Sequence, residues 1–580
     1  MTGLPALRIP AQSFSCVLVF FGLLAFTGPA DAASPPKSEG SIALLVEARG
    51  AAASIEDAAE RSAALNSVVV AQIAIDPPGA RETLKLFPRS PRKLHYLTAL
   101  AAAYAEAGNI AETDRMYAEI VVEDQSSRPG KLAAANALGQ VAIAYANKGN
   151  IEEASQTLSR LKERLKEEPL SIVGLATAKL VEAQVKHGDI RGAVQTALTI
   201  IEENPVPFLT IIRDRVLSGK VQEVQNITAA LDERAQPYAQ WGIMQAQIQQ
   251  GRSTDAQVTA SAIKPGHAKA DALLELATYH LQHGTNPLAL VLLQEAEASA
   301  RMMANPKTRA ESLQHITAST AMAGDAARAT TIARSIEKEG PRIAAFHDIV
   351  NAQAKRGEFA GAFNAATLLK QAPRSNALTM SDYDMAVSDI LVELVKAGKG
   401  MEARNTVAKF QDTDISRSWL YSGIAMAQAD LGNIKEAEAD LALAETRGQR
   451  SARRKELLQV KEKIRLSQNP TDETRFQELW KAEVEIQRGL DAIAKAFARK
   501  GDLSGAMAIA DELNQPAHRL DLIKELSALH VQAGRKEQTL RWARSLSRSS
   551  EKAFALVGMA TVFSQEADKR KAKPVLKAGV

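Results

Sequence analysis

The sequence is almost without cysteine. Its single thiol, Cys16, lies ahead of an apolar stretch at residues 17–26, so the rest of the chain can build no disulfide, thiolate metal site or cysteine nucleophile. Aromatic residues are scarce at 4%, whereas 46% of the 580 residues are hydrophobic. A core must therefore be assembled from small aliphatic side chains. After residue 26 no apolar run approaches the length that spans a bilayer. The GxSxG, HExxH and glycine-rich phosphate-binding patterns are missing too. Paired carboxylates such as Glu152 and Glu153 are consecutive, so they point in different directions around a helix and form no acid and base couple. Among nine histidines, the closest pair, His280 and His283, has no third ligand at a spacing zinc would use. A non-enzymatic protein without metal or cofactor is the expectation.

What is present begins with a leader. Residues 17–26 read VLVFFGLLAF, preceded by Arg8 and followed by Ala30, Asp31 and Ala32, a small-x-small pattern that places a signal-peptide cut after Ala32. Export without disulfides suits a bacterial periplasm, with secretion as the alternative.

The body of the chain repeats itself. IAMAQADLGNIKEAEADL from Ile424, LVEAQVKHGDIRGAVQTAL from Leu180 and IAKAFARKGDLSGAMAIA from Ile493 are variants of one phrase. Glycines 108, 149, 188, 219, 251, 284, 324, 357, 398, 432, 501 and 534 set its register. All twelve residues eight positions earlier are aliphatic, which at this composition has a chance of roughly one in ten thousand. Five positions after the glycine, nine of twelve residues are alanine, including Ala154, Ala193, Ala362, Ala437 and Ala506. Glycine ends helix A in a left-handed turn. Asn109, Asn150, Asp189, Asp325, Asn433 and Asp502 then stand where a cap for helix B belongs. The alanine lets the two helices approach closely.

Spacings of mostly 31 to 41 residues describe a solenoid. A further hairpin precedes the first counted one, turning at Asp76-Pro77-Pro78-Gly79, for a total of thirteen or fourteen units. The expected organisation is a leader at 1–32, a lead-in at 33–54, a continuous solenoid at 55–567 and a basic disordered tail at 568–580. A charged, irregular hairpin near 447–485 fills the wide gap between Gly432 and Gly501 and ends at Asn469-Pro470. From His530 onward lysine and arginine number eleven against four acids, which favours weak contact of the tail with an anionic membrane or lipopolysaccharide.

In Ala142, Tyr145, Gly149, Ile151, Ala154 and Leu158 the unit resembles a tetratricopeptide repeat, as it does in Tyr104, Gly108, Ile110 and Tyr117. Most units replace the family's aromatics, with glutamine at positions such as Gln353 and Gln428. The resemblance implies an all-α, right-handed superhelical solenoid whose concave face is lined by helix A. It also implies that ligand-facing residues fall thirteen, ten, six, three and two positions before the turn glycine. In the Gly357 unit these include His347, Asn351 and Lys355; in the Gly501 unit they are Arg488, Asp491, Lys495 and Arg499. Tyr238, Trp241 and Trp419 at the same offsets are candidate apolar anchors.

The functional expectation is a scaffold of the bacterial cell envelope that binds a protein or peptide on this face. The Arg488, Lys495 and Arg499 stripe should attract an acidic segment. A passive spacer is the alternative. An envelope glycan-acting protein of the solenoid-containing lytic transglycosylase type is a third reading, disfavoured because no catalytic domain follows the repeats. Export and a net charge of only +4 argue against a nucleic-acid partner.

Overall fold

The computed structural model describes residues 39–572 apart from 89, 124–126, 166–170, 372–380, 410–413, 446, 468–469 and 514. The expected leader and its cleavage site, and residues 573–580 of the expected tail, lie outside them. Among the described residues there are twenty-nine α-helices, one short 3-10 turn and no strand. The fold is an all-α solenoid of antiparallel hairpins. No described helix is long and apolar enough to cross a membrane.

Each hairpin is made by the features its phrase encodes. All twelve register glycines have positive φ, from 63° at Gly108 to 102° at Gly324. The residue after the glycine returns its amide to a carbonyl five residues back, as Asp189 does to Gln184 at 2.9 Å, which satisfies the end of helix A. Asp189, Asp325, Asp502 and Asn109 accept a first-turn amide of helix B. Asn150 and Asn433 make no such cap. The Asn433 amide is turned instead toward Gln428, donating to its Oε1 at 2.9 Å. Of the residues eight before the glycine, all but Ile243 are buried, and all twelve residues five after it are buried, including the non-alanines Thr113, Val224 and Thr539. Glutamine in place of the family's tyrosine is explained by a neighbour. Gln184 and Gln353 lie across Gly192 and Gly361 of helix B, where a β-carbon would come within 2.8 and 2.5 Å of the glutamine Nε2.

Thirteen hairpins run from Ala58–Ile75 with Pro77–Leu84 to Pro516–Gln532 with Lys536–Ser545. Three helices are left over. Arg447–Ser467 is an extra helix against Pro470–Lys500, which is itself an elongated helix A of the Gly501 unit. The interval expected to hold an irregular or elongated hairpin has two long helices packed on each other, and Pro470 opens the second one, where proline's missing amide costs nothing. The other two left-over helices are the first, Glu39–Ala53, and the last, Ser549–Ala572, and they pack on each other as closely as the two helices of any regular hairpin. Residues 39–53 are thus a structural helix rather than a lead-in, and the last helix carries residues 568–572 of the expected tail.

This pairing changes the architecture. The last helix acts as helix A and the first as helix B of a fourteenth hairpin, assembled from the two ends of the chain. The last helix packs on helix A of the Gly534 hairpin on one side and on Ala58–Ile75 on the other, so each helix A touches two neighbouring A helices around a closed circuit. One apolar cluster joins Leu44, Leu45, Val68 and Leu97 to Ile523, Phe554, Val557 and Met559. An open solenoid would need polar caps at both ends; here each end covers the other. The B helices pack on A helices and make no comparable contact with one another. In a closed ring the layer whose members all touch is the one with the shorter circumference, so the A helices form the inner layer.

Candidate functional site

The inner layer is most unusual across four consecutive A helices: His267–Gln282, Pro306–Ala323, Glu339–Lys355 and Asp382–Lys396. Nine positions before their turn glycines stand Glu275, His315, Asp348 and Asp389, one ionisable side chain per hairpin in the same register. The units on either side have Gly242 and Gly423 there. A helix presents residues spaced by three or four on one face. That brings Asp271 and Asn351 beside this row, whereas Gln314 and His347, each one residue before a row member, reach toward the next helix.

The contacts run from helix to helix. Glu275 accepts hydrogen bonds from Trp241 Nε1 at 2.6 Å and from Gln245 Nε2 at 3.0 Å. His267 Nε2 lies 3.4 Å from the Asp271 carboxylate. Gln314 Nε2 donates to Asp348 at 3.4 Å, and His347 Nε2 lies 3.6 Å from Asp382. Burial pushes the Asp271 carboxyl above the ordinary carboxylate range, with His267 and His315 opposing. Burial also raises Asp348, against Gln314, His315, His347 and Lys355. Asp389 is raised by burial as well, against His347, a hydrogen bond from Asn351, and Lys355, while Glu393 adds to the rise. Among the described residues no lysine or arginine forms an ion pair with Asp271, Asp348 or Asp389. The carboxylates are desolvated without being neutralised, an arrangement that costs the folded state. Among the described residues no three histidine or acidic side chains converge as a metal site requires.

His347, Asn351 and Lys355, expected at the ligand face, lie in the middle of this belt. His347 and Asn351 are half-buried and Lys355 is exposed. The other expected stripe differs in character. Arg488 pairs with Glu485 at 2.9 Å, Lys495 with Asp491 at 2.6 Å and Glu525 at 2.5 Å, and Arg499 with Asp430 at 3.3 Å. His518 adds a contact to Asp491 at 3.7 Å. Burial alone would lower the Lys495 pKa, but Asp491 and Glu525 hold it above the usual value. Each cation thus has a carboxylate partner, and the stripe offers no free positive patch to an acidic segment. Tyr238 and Trp241 are buried and stack on each other at 6.4 Å, and Trp419 packs against the core, so none is an open anchor. His280 and His283 also part company: His280 is buried with Nδ1 on Thr285 Oγ1 at 2.9 Å, and His283 lies on the Tyr279 ring at 4.1 Å. The row nine before the glycine was missed because the family's offsets skip it; its signal is four ionisable residues in succession at a position otherwise held by glycine on both flanks.

No family model matches the chain, and no curated protein matches its sequence. Solved structures similar to it are helical-repeat proteins. The pentatricopeptide repeat protein PPR10 from maize is 14% identical, with 94% of this chain and 88% of that one covered and a TM-score of 0.25. PPR10 has also been solved in complex with an 18-nt RNA element. A circular tandem repeat protein is 13% identical, covering 93% and 99%, with a TM-score of 0.14. Ton1535 from Thermococcus onnurineus NA1 is 14% identical, covering 67% and 99%, with a TM-score of 0.23.

Proposed function

We propose that this chain is a non-enzymatic scaffold of the bacterial cell envelope that holds a protein or peptide segment along the inner layer of A helices, centred on the belt from Asp271 to Asp389. One observation carries the reading: three desolvated carboxylates on three A helices form no lysine or arginine ion pair among the described residues, Lys355 acting on Asp348 and Asp389 only at longer range, and are interleaved with His267, His315 and His347. Groups that cost the fold and do not build its core are the kind retained for a ligand. Polar side chains on this belt, amides and imidazoles among them, suit the donors and acceptors of an extended backbone. A passive spacer gains reach from every added hairpin only if its ends are free, so the closed circuit disfavours that alternative. The envelope setting rests on the leader at 1–32 and the cysteine-free body.

The test is a photo-crosslinking residue placed at Asn351 in cells, with a control at Lys435 on the outer helix B. Adducts at 351 that protease removes, absent at 435, support the reading. Equal adducts at both positions, or none, defeat it, and adducts removed by nuclease rather than protease replace it with a nucleic-acid partner. N-terminal sequencing of the exported form should begin at Ala33; an intact leader in the membrane fraction refutes cleavage after Ala32 and a soluble mature chain.

A further inference from the structure

The ring has one joint unlike the others. Every regular hairpin is closed by a short turn between its two helices, and consecutive hairpins are joined by a loop. The fourteenth hairpin has no such link, because its helix A is Ser549–Ala572 and its helix B is Glu39–Ala53. Apart from Leu44 and Leu45, the first helix buries only small residues such as Ala48 and Ala52, and its Gly40 lies against Phe563, 3.7 Å from where a β-carbon would stand. The polar contacts across the joint sit at its solvent edge. Ser54 Oγ donates to Ser549 Oγ at 3.1 Å, and Glu47 meets Arg544 at 3.0 Å and Lys552 at 3.4 Å. Ser54 and Arg544 are exposed, where such contacts add little, and Glu47 and Lys552 are half-buried.

On its other side the last helix packs about as extensively and makes one very close backbone approach. Gly558 lies so close to helix Pro516–Gln532 that a β-carbon would stand 2.0 Å from the Lys524 carbonyl oxygen. Ser527 Oγ donates to the Ala555 carbonyl at 2.9 Å across the same interface, and Arg519 pairs with Glu551. The last helix is tied by a short loop to the Gly534 hairpin, whereas no chain joins it to the first helix, and this is what sets the joint apart. Chain ends loosen before helices tied at both ends, and a joint without a covalent link has no loop to limit its opening.

We propose that the ring opens at this seam, and that the seam is the gate by which an internal segment of a larger folded protein reaches the inner layer. The proposal rests on the inner-layer reading above. A free peptide end can thread into a closed ring, but a segment flanked by folded domains cannot. Opening one unlinked joint admits it, and reclosing retains it by topology as well as by contact.

A Cys16→Ser full-length chain is free of cysteine, so Ser54→Cys with Ser549→Cys adds a single cross-seam pair whose side chains already touch. Hydrogen exchange on the unmodified chain comes first. Residues 39–53 should exchange at least about tenfold faster than residues 339–355, and oxidising the cysteine pair should abolish the difference. Equal exchange in the two segments overturns the gate, as does an intermolecular rather than intramolecular disulfide. The second arm repeats crosslinking from position 351 with the pair oxidised and after reduction by dithiothreitol. Protein adducts should fall about tenfold on oxidation and return on reduction. Adducts unchanged by oxidation overturn the gate while leaving the inner-layer reading intact. Adducts missing in both states count against the inner-layer reading and with it the use of the seam as a gate, whereas the exchange arm still decides whether the seam opens.

Discussion

Glu483→Gln should release the extra helix without melting the ring. Helix Arg447–Ser467 has few apolar anchors, chiefly Leu457 and Val460 packed with Leu479. Its hold is ionic. Glu483 is 1% exposed and accepts from Arg453 at 2.7 Å, Arg454 at 3.2 Å and Gln487 at 2.6 Å. Arg453 also meets Glu445, and Arg450 reaches Glu512 at 3.0 Å. Removing one partner of a buried pair leaves the other charge uncompensated, at a cost of about 3–5 kcal/mol. Read as local opening, that is about two to four powers of ten in the amide exchange rate of residues 447–467. Exchange in the Glu339–Lys355 helix should not change, because repeat arrays pass disturbance only to neighbours. Glu483→Leu with Arg453→Met should recover only part of the protection, since apolar replacement of a whole pair is often neutral but here Glu445 and Arg454 also lose a partner.

The same site fixes a pH dependence. Burial alone would raise the Glu483 carboxyl, but hydrogen bonds from Arg453 and Gln487 and the charges of Arg454 and Arg453 hold it below its ordinary value. Its stabilisation is therefore present above the unfolded-state pKa and lost as pH falls through the folded one. Glu445 contributes the opposite slope, because burial outweighs Arg453 and raises it. Acid should accordingly loosen residues 447–467 in the parent, and this component should vanish in Glu483→Gln. If the variant exchanges like the parent at neutral pH, or if loosening spreads evenly around the ring, the ionic anchoring argument is wrong.

Three other changes separate core from site. Asp348→Asn and Asp389→Asn should each raise the thermal midpoint near neutral pH and have no effect in strong acid. A carboxyl with a raised pKa stabilises the fold below its unfolded pKa and loses that contribution as pH climbs through the folded value; melts at about pH 8 and about pH 3 check the sign. Ala437→Arg forces a charge into a fully buried position between two helices and should cost about 3 kcal/mol or more, read as exchange in its own and adjacent hairpins, whereas reversing the exposed Lys435 and Glu438 should stay within about 0.5 kcal/mol. Gly558→Ala should lift the last helix off Lys524 at about 1–3 kcal/mol and raise exchange across residues 549–563.

What could be read from the sequence was whatever recurs locally. The turn glycine, the aliphatic residue eight before it and the small residue five after it are all set within one hairpin, so twelve copies reinforced one another. The extra helix Arg447–Ser467 obeys none of those rules. Its arginines look like a solvated run, and only the placement of Glu483 and Glu512 turns Arg450 and Arg453 into buried anchors. The inner face was half legible. The family offsets found His347, Asn351 and Lys355 but skipped the row of Glu275, His315, Asp348 and Asp389. They also marked Arg488, Lys495 and Arg499 without showing that Glu485 on the same helix, and Glu525 and Asp430 from other helices, pair with them.

Ring closure was the hardest feature to read, and the reason is physical. A hairpin announces itself through its turn, and the fourteenth hairpin has no turn. Its halves are helices at opposite ends of the chain, neither with a marked apolar stripe, and each alone reads as a cap or a tail. The clue is one of unmet need: Glu39–Ala53 buries Leu44, Leu45, Ala48 and Ala52 with no helix before it among the described residues, and Ser549–Ala572 is apolar on more sides than the Gly534 hairpin alone could cover. An array with free ends would leave both surfaces in water. The two unmet faces satisfy each other, and the absence of a linking turn that hid this joint from sequence reading is what leaves it as the place where the ring can part.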